Sequence, residues 1–214
     1  MKYHKLVENA KKPNGFWGKM MIKAMNKGHS SLTSWGFEHM NIERTATVLD
    51  IGCGGGKTVD RLCSMVANGK VYGIDYSELS VKSSEKLNSK NILCNKAKIL
   101  QASVSDMPFD DNTFDNITAV ETYYFWPDKE NDVKEVFRVL KQGGTVMLLF
   151  EMLRTDDDPF KWEKVENMLN IKSVTPQEIR AVLESAGFEN INTYTKEGTT
   201  WLCATAQKPK DDEN

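Results

Sequence analysis

The chain of 214 residues is 40% hydrophobic, which supplies enough apolar side chains to bury one core, or one core with a small cap. Its 28 lysines and arginines are balanced by 30 aspartates and glutamates, and the basic residues form no block. Because nucleic-acid binding needs a basic patch, this charge distribution argues against DNA or RNA as a partner.

The sequence lacks the usual signals for export, membrane insertion and metal binding. The first residues, MKYHKLVENAKKPNG, have no apolar stretch, and the longest apolar runs, such as residues 146–150, are too short to cross a bilayer. The cysteines at positions 53, 63, 94 and 203 form no C-x-x-C pair and have no histidine at ligand spacing. We therefore expect a cytoplasmic protein with reduced thiols, no membrane insertion and no bound metal ion.

Residues 1–44 contain no strand pattern and are predicted to form a helical cover. The segment is rich in methionine and tryptophan, which indicates either plain packing or an apolar flap beside a ligand site. The sequence leaves both interpretations open. The residues concerned are Trp17, Met20, Met21, Met25 and Trp35.

Strand-like and helix-like stretches alternate after residue 44, a pattern typical of a parallel sheet covered by helices. The last two strands are predicted to form an antiparallel hairpin around Gly198. The predicted fold class is therefore α/β, with a doubly wound, mostly parallel sheet of seven strands. The predicted strands are residues 47–50, 70–75, 97–102, 116–121, 145–151, 188–195 and 199–206.

Two helices can be placed from their patterns. The stretch TPQE at residues 175–178 combines an N-cap threonine, a proline suited to the first turn and a glutamate that completes a capping box; Gly187 then supplies a stop. A crossover helix before the fifth strand, ended by the Gly-Gly pair at 143–144, is indicated by apolar residues at helical spacing: Val133, Val136, Phe137 and Leu140.

A glycine-rich stretch, VLDIGCGGGKT at residues 48–58, joins the first strand to the next helix. Such turns usually cradle phosphate, because backbone N–H groups and the helix N-terminus attract anions. This stretch misses the P-loop motif, since residue 51 is isoleucine, and the dinucleotide motif, since Lys57 takes the place of the third glycine. The carboxylate of Asp50 would also repel phosphate, whereas it would attract a cation.

The run LDIGCGGG resembles the acid-x-G-x-G-x-G motif of class I S-adenosylmethionine-dependent methyltransferases. Stretches that resemble other parts of this family follow in order, among them VYGIDYS, ASVSDMPF, NTFDNITAVET and EVFRVLKQGGTVMLLFE. The resemblance implies a Rossmann-like methyltransferase domain at residues 45–208, preceded by the cover at 1–44 and followed by a frayed tail at 209–214. S-adenosylmethionine carries a sulfonium, an ammonium and no phosphate, which accounts for Asp50.

The resemblance also implies which residues hold the cofactor, whose product form is S-adenosylhomocysteine. Asp75 would accept hydrogen bonds from both ribose hydroxyls, although it could instead cap the next helix, and Tyr76 would lie against the adenine. Ser103 and Val104 would lie at the adenine edge, where the family commonly has an acid in place of Ser103. The remaining implied contacts are Asp50, Gly52, Cys53, Gly54 and Gly56.

Candidate catalytic residues cluster after the fourth predicted strand, at the sheet edge where ligands bind in open α/β folds. Glu121 ends that strand, and Tyr123 and Tyr124 follow it; these residues, or His29 in the cover, could assist loss of a proton from the acceptor. Each also has a structural interpretation as a solvated strand end, a core aromatic or a surface histidine. A sulfonium is already activated, so the implied reaction needs alignment more than a strong catalytic group.

The methyl acceptor is expected to be a small molecule. After the fourth strand the chain reads ETYYFW, without the Asn/Asp-Pro-Pro-aromatic motif of amino-group methyltransferases, and no Pro-Cys pair suggests a cytosine C5 enzyme. The pattern resembles the group that includes quinone-biosynthesis methyltransferases, which implies in-line displacement at the methyl carbon. Two alternatives remain: a cofactor-binding protein without activity and, from GKT at residues 56–58, a nucleotide-dependent enzyme.

Overall fold

The computed structural model describes residues 13–210, without the side chains of residues 23–27. Seven strands lie in this part of the chain, as predicted, although several boundaries differ by a few residues. The strands are β1 Thr47–Ile51, β2 Lys70–Asp75, β3 Ala97–Gln101, β4 Phe114–Val120, β5 Leu140–Phe150, β6 Glu189–Thr195 and β7 Leu202–Gln207.

The seven strands form a mixed sheet in the order β3-β2-β1-β4-β5-β7-β6. Strands β1 to β5 are parallel, whereas β7 runs antiparallel to both β5 and β6. The predicted α/β class and the terminal antiparallel hairpin are therefore confirmed. The strand order reverses between β1 and β4, and the crevice at the carboxyl ends of two such strands is the usual ligand site of an open α/β sheet.

Helices cover both faces of the sheet, as the buried runs of its strands require. In β5, Leu148 and Phe150 pack into the core on one face, and Met147 and Leu149 pack into a second cluster on the other. Among residues 13–210, none of the helices combines the length and apolarity that crossing a bilayer requires. The helices are α1 Gly15–Gly28, α2 Ser30–Gly36, α3 Lys57–Met65, α4 Glu78–Leu87, α5 Ser89–Leu93, α6 Lys129–Val139, α7 Glu163–Leu169 and α8 Pro176–Ser185, with 3-10 turns at Phe37–His39 and Tyr123–Phe125.

The helix before β5 ends at Val139, earlier than predicted. Leu140 has extended backbone angles, with φ at −76° and ψ at 136°, and begins the strand. The prediction that Leu140 belongs to the helix was wrong, as was the assignment of Gly143 and Gly144 to its end, since both lie within β5. Leu140 is fully buried in either assignment, so apolar spacing alone cannot separate the last helical turn from the first strand residue.

The capping box of α8 forms as predicted. The side chain of Thr175 accepts a hydrogen bond from the Glu178 amide at 3.2 Å, and Glu178 Oε2 accepts one from the Thr175 amide at 2.9 Å. The turn of the hairpin is longer than predicted. Thr199 Oγ1 donates to the Lys196 carbonyl within the turn, and β7 begins only at Leu202. Gly198, with φ at +70°, lies in that turn.

The N-terminal segment packs on the rest of the chain at two places. Gly36 of α2 lies directly on Leu149, where a side chain would collide with the leucine, and Ser77 Oγ donates to the Pro13 carbonyl at 3.0 Å. Trp35 is buried, whereas Met20 is 44% exposed. Residues 1–12 of the predicted cover, the side chain of Met25 and residues 211–214 of the predicted tail lie outside the described residues.

Candidate active site

The glycine-rich turn leaves β1 in a conformation that glycine adopts readily. Gly52, Gly54 and Gly56 have φ angles of +68°, +50° and +80°. The Cys53 amide donates to the Ile74 carbonyl at 2.9 Å, which ties the turn to the end of β2. The turn is therefore a fixed loop at the carboxyl edge of β1 and β2.

The three glycines are required for different reasons. A Cβ at Gly52 would lie 2.3 Å from Thr122 Oγ1, and one at Gly56 would lie 2.4 Å from Ser84 Oγ. Around Gly54 the nearest atom is the Gly52 carbonyl oxygen at 3.9 Å, so a Cβ there would enter open space. The structure thus places Gly54 where a ligand can approach the backbone, and Gly56 against α4.

Asp75 ends β2 directly beside this loop. Its Oδ2 accepts from the Gly54 amide at 2.9 Å and its Oδ1 from the Ser77 amide at 2.8 Å. The carboxyl group is 8% exposed, and burial raises its pKa despite these hydrogen bonds. The alternative role as an N-cap belongs to Ser77, whose side chain accepts from the Ser80 amide, so Asp75 is not the cap of α4.

Asp50 lies inside β1, one residue before the end of the strand. It is buried and accepts a hydrogen bond from Thr118 Oγ1, on the neighbouring strand β4, at 2.7 Å. Burial, with a smaller contribution from the nearby Asp75, raises its pKa to about 7. Together with Gly52, Gly54 and other residues it lines a small cavity of about 70 Å³. Two buried carboxyl groups beside one loop disfavour a phosphate ligand and favour a cation.

The Cys53 side chain contacts α4. Its Sγ lies 3.8 Å from Ser84 Oγ, and burial raises the pKa of the thiol well above its ordinary value. A thiol that remains protonated is a poor nucleophile. The surroundings of Cys53 therefore suit a small buried residue of the turn rather than a nucleophile.

A larger cavity of about 560 Å³ runs from the end of β2 to the end of β4. Gly52, Asp75, Tyr76, Ser103 and Val104 line it, which brings together five of the residues predicted to contact the cofactor. The opposite wall is aromatic and has basic residues at its rim. These further lining residues include Thr122, Tyr124, Phe125, Trp126, Lys129 and Lys172.

Glu121 follows β4 and meets side chains from two other segments. Its backbone has φ at +60°, and its Oε1 accepts from the Glu151 amide and, at 3.5 Å, from the Tyr124 hydroxyl. Burial raises the pKa of Glu121 to about 8. His29 Nε2 lies 4.0 Å from Glu151 Oε2, and burial lowers the pKa of the imidazole. The structure thus brings His29, Glu121 and Tyr124 to one place.

Tyr123 is turned away from this group. Its ring packs against Phe150 and Trp126, and it lines a separate cavity with Glu178. Burial raises the pKa of its hydroxyl to about 12. The 3-10 turn at Tyr123–Phe125 breaks the alternation of the strand, so neighbouring tyrosines face different cavities.

Sequence reasoning missed Glu151 and two residues of α2. Glu151 ends the predicted fifth strand, so the carboxyl-edge argument that selected Glu121 could have selected it as well. Ser30 and Thr33 line the same small cavity as Gly54. No pattern in the sequence marks them, because their place depends on how α2 packs.

The described residues fit S-adenosylmethionine at this site. Buried Asp75 ends β2 and accepts a hydrogen bond from the amide of Gly54, whose backbone is open to a ligand. The buried carboxyl group of Asp50 is available to pair with a positive charge. This geometry, on a doubly wound sheet with a reversed final strand, defines the class I S-adenosylmethionine-dependent methyltransferases, and the chain belongs to that family. The family model described as "Methyltransferase domain" matches residues 49–148.

Relatives support the same assignment. The chain is 31% identical over 181 residues to the ubiquinone/menaquinone biosynthesis C-methyltransferase UbiE of Cronobacter sakazakii, covering 73% of this chain and 72% of that protein. It is 27% identical over 183 residues to the uncharacterized methyltransferase YdaC of Bacillus subtilis, covering 85% and 93%. The structure of a SAM-dependent methyltransferase from Aquifex aeolicus matches with a TM-score of 0.67 at 21% identity, covering 86% and 95%.

Binding of S-adenosylmethionine is expected to tighten as the pH rises towards 7 and then to level off. Below the pKa of Asp50, about 7, a cationic ligand must displace a proton, so the dissociation constant should fall by up to about tenfold per pH unit. Calorimetric titrations between about pH 5.5 and 7.5 measure this, with Asp50→Asn as the matched variant. A wild-type affinity that does not change with pH would contradict the prediction.

The raised pKa of Asp50 has the opposite effect on the stability of the ligand-free protein. The folded-state pKa of Asp50 is raised above the unfolded value of 3.8, so its protonated form stabilises the fold. This contribution is fully present below the unfolded pKa and is lost as the pH rises through about 7. Ligand affinity and intrinsic stability should therefore change in opposite directions over this range.

Proposed function

We propose that the protein transfers a methyl group from S-adenosylmethionine to a small-molecule acceptor by in-line displacement at the methyl carbon. The observation that carries this proposal is the 560 Å³ cavity, which continues from the Asp75 side to an aromatic wall. A concave space of this size, mostly apolar with a few polar groups, suits a cofactor beside a small acceptor.

The proposed cofactor contacts follow the geometry. Asp75 accepts from the ribose hydroxyls, Tyr76, Ser103 and Val104 surround the adenine, and the small cavity at Asp50 receives the charged methionine end. When bound, S-adenosylmethionine supplies a methyl group already activated by its sulfonium. The contributions of Gly52, Cys53, Gly54 and Gly56 to cofactor binding remain proposals based on the loop's backbone.

The acceptor is proposed to lie against Tyr124, Phe125 and Trp126. Aromatic walls bind flat, apolar molecules well, and the similarity to a ubiquinone/menaquinone C-methyltransferase makes a phenolic or quinone-like ring a reasonable class. Where the acceptor must lose a proton, Glu121 and His29 lie at the correct edge to take it. Tyr123, the third predicted catalytic residue, would need to turn out of its own cavity.

A turnover screen tests the proposal directly. The protein is incubated with S-adenosylmethionine and a panel of phenols, quinols and other small metabolites, and production of S-adenosylhomocysteine is measured. Parallel calorimetry with S-adenosylmethionine, S-adenosylhomocysteine, ATP and NADH identifies the cofactor. Cofactor binding without turnover on any member of the panel would instead support the alternative of a cofactor-binding protein without activity. Binding of ATP alone would refute the proposal.

The cover is expected to respond to the cofactor. Ser30 and Thr33 of α2 line the same small cavity as Gly54, so filling that cavity should restrain the helix. Hydrogen exchange measured with and without S-adenosylhomocysteine should show new protection at residues 28–36. The α8 helix, at residues 176–185, is the internal control. Unchanged exchange at 28–36, in a sample whose glycine loop becomes protected, would favour inert packing.

A further inference from the structure

Three metal-ligating side chains converge beside the proposed site. His29 precedes α2, Glu121 follows β4 and Glu151 follows β5, and one ligand atom from each lies within 4.8 Å of the others. Strands β4 and β5 are hydrogen-bonded neighbours, so their carboxyl ends hold the two glutamates side by side. Positions 29, 121 and 151 are too far apart in sequence for any spacing motif to reveal the group.

The group adjoins the two cavities through single residues. His29 lines the small cavity that contains Asp50 and Gly54, and Tyr124, which contacts Glu121, lines the large one. An ion held by the group would therefore lie at the small cavity and near one residue of the aromatic wall.

The two carboxylates lack a permanent counter-charge among the described side chains. Outside residues 1–12, 23–27 and 211–214, no lysine or arginine lies within ion-pair distance of either glutamate, and the contact to Glu151 comes from His29 at 4.0 Å. Adjacent carboxylates repel each other unless a proton or a cation lies between them. A neutral histidine nitrogen beside two carboxylates forms a ligand set that favours a cation over a proton.

We propose that His29, Glu121 and Glu151 bind a divalent cation of the Mn²⁺ or Zn²⁺ type. One imidazole nitrogen with two carboxylates suits these ions, whereas Mg²⁺ and Ca²⁺ prefer oxygen ligands alone. Outer contacts already orient the central ligand, because the Tyr124 hydroxyl and the Glu151 amide both donate to Glu121 Oε1. Three protein ligands leave coordination positions open for an acceptor.

The role of the cation rests on the proposed function, and it replaces the direct proton transfer to Glu121 or His29 described there, because atoms that bind the ion cannot also accept the proton. An ion in this position would bind an acceptor through a hydroxyl oxygen beside the aromatic wall and lower the pKa of that hydroxyl. The acceptor class is thereby narrowed to molecules with an ionisable hydroxyl group that can reach the metal.

Metal binding can be measured without any turnover. Metal-free protein is titrated with MnCl₂ and followed by electron paramagnetic resonance of free Mn²⁺, and ZnCl₂ is then added as a competitor. We expect one Mn²⁺ site per chain, displaced by Zn²⁺, and a loss of affinity of at least about tenfold in Glu151→Gln and in His29→Ala. Glu189→Gln, which alters an exposed glutamate of β6, is the matched control and should bind as the wild type does.

Calorimetry with S-adenosylhomocysteine on the same samples separates this inference from the proposed function. Weakened Mn²⁺ binding in Glu151→Gln with an unchanged cofactor affinity supports the cation site. A wild type that binds S-adenosylhomocysteine but neither metal overturns the cation site and leaves the proposed function standing. Equal Mn²⁺ binding by the wild type and Glu151→Gln overturns it as well, since the ion would then lie elsewhere. Glu151→Gln is conservative and half exposed, so it keeps the test valid if His29→Ala fails to fold.

Discussion

Gly56→Ala is expected to lower the free energy of unfolding by about 3 kcal/mol, the sum of overpacking and a left-handed backbone without glycine. A Cβ at this position would lie 2.4 Å from Ser84 Oγ and 2.5 Å from Asn88 Nδ2. Both partners are fully buried on or beside α4, so they cannot swing into solvent. Asn88 Nδ2 also donates to the Gly56 carbonyl at 3.0 Å, and displacement would break that bond.

Thermal denaturation measures this effect, and for a chain of this length the midpoint should fall by about 6–12 °C. Gly198→Ala is the matched control: it has φ at +70° but no atom within 4 Å of the new Cβ, so it should cost only about 1 kcal/mol. Gly54→Ala should cost about as little, yet reduce S-adenosylhomocysteine binding. Equal thermal midpoints for Gly56→Ala and Gly198→Ala would show that close packing against α4 is not the reason for glycine at position 56.

The sheet could be predicted from sequence because its signals are local. Each parallel strand is a short apolar run bounded by turn residues, and the capping box at Thr175 requires contacts only within four residues. The glycine loop and Asp75 were recognisable because the stretches around them, LDIGCGGG and VYGIDYS, resemble parts of one family; the loop follows β1 and Asp75 ends β2 at the same edge of the sheet. The prediction for Leu140 was wrong because its burial is compatible with either a helix or a strand.

The composition of the candidate site depends on contacts that are distant in sequence. His29 meets Glu151 across 122 positions only because α2 packs on β5 through Gly36. The choice between Tyr123 and Tyr124 depends on a 3-10 turn that the pattern did not indicate. Such placements arise from tertiary packing, which the periodicity of a single sequence does not encode.

Asp75→Ala is expected to weaken S-adenosylhomocysteine binding about 10- to 150-fold, which corresponds to 1.5–3 kcal/mol for hydrogen bonds to a charged group. A carboxylate offers about four lone-pair sites. The Gly54 and Ser77 amides use one site on each oxygen and the Ser80 side chain uses a further one, so at least one site stays open for the ribose. Alanine removes the carboxylate's contact with the ribose and also leaves the Gly54 amide without its partner.

Calorimetry with S-adenosylhomocysteine measures the loss, and Asp110→Ala, which alters an exposed aspartate outside both cavities, is the matched control. Thermal melts of both variants separate a lost contact from a loosened loop. The hydrogen bond from the Gly54 amide matters for this distinction. A glycine loop released from Asp75 would open, which would weaken binding of the methionine end of the cofactor as well as binding of the ribose. An unchanged dissociation constant in a folded Asp75→Ala protein would mean that the ribose lies elsewhere, and the assignment of the whole crevice at the end of β2 would then fail.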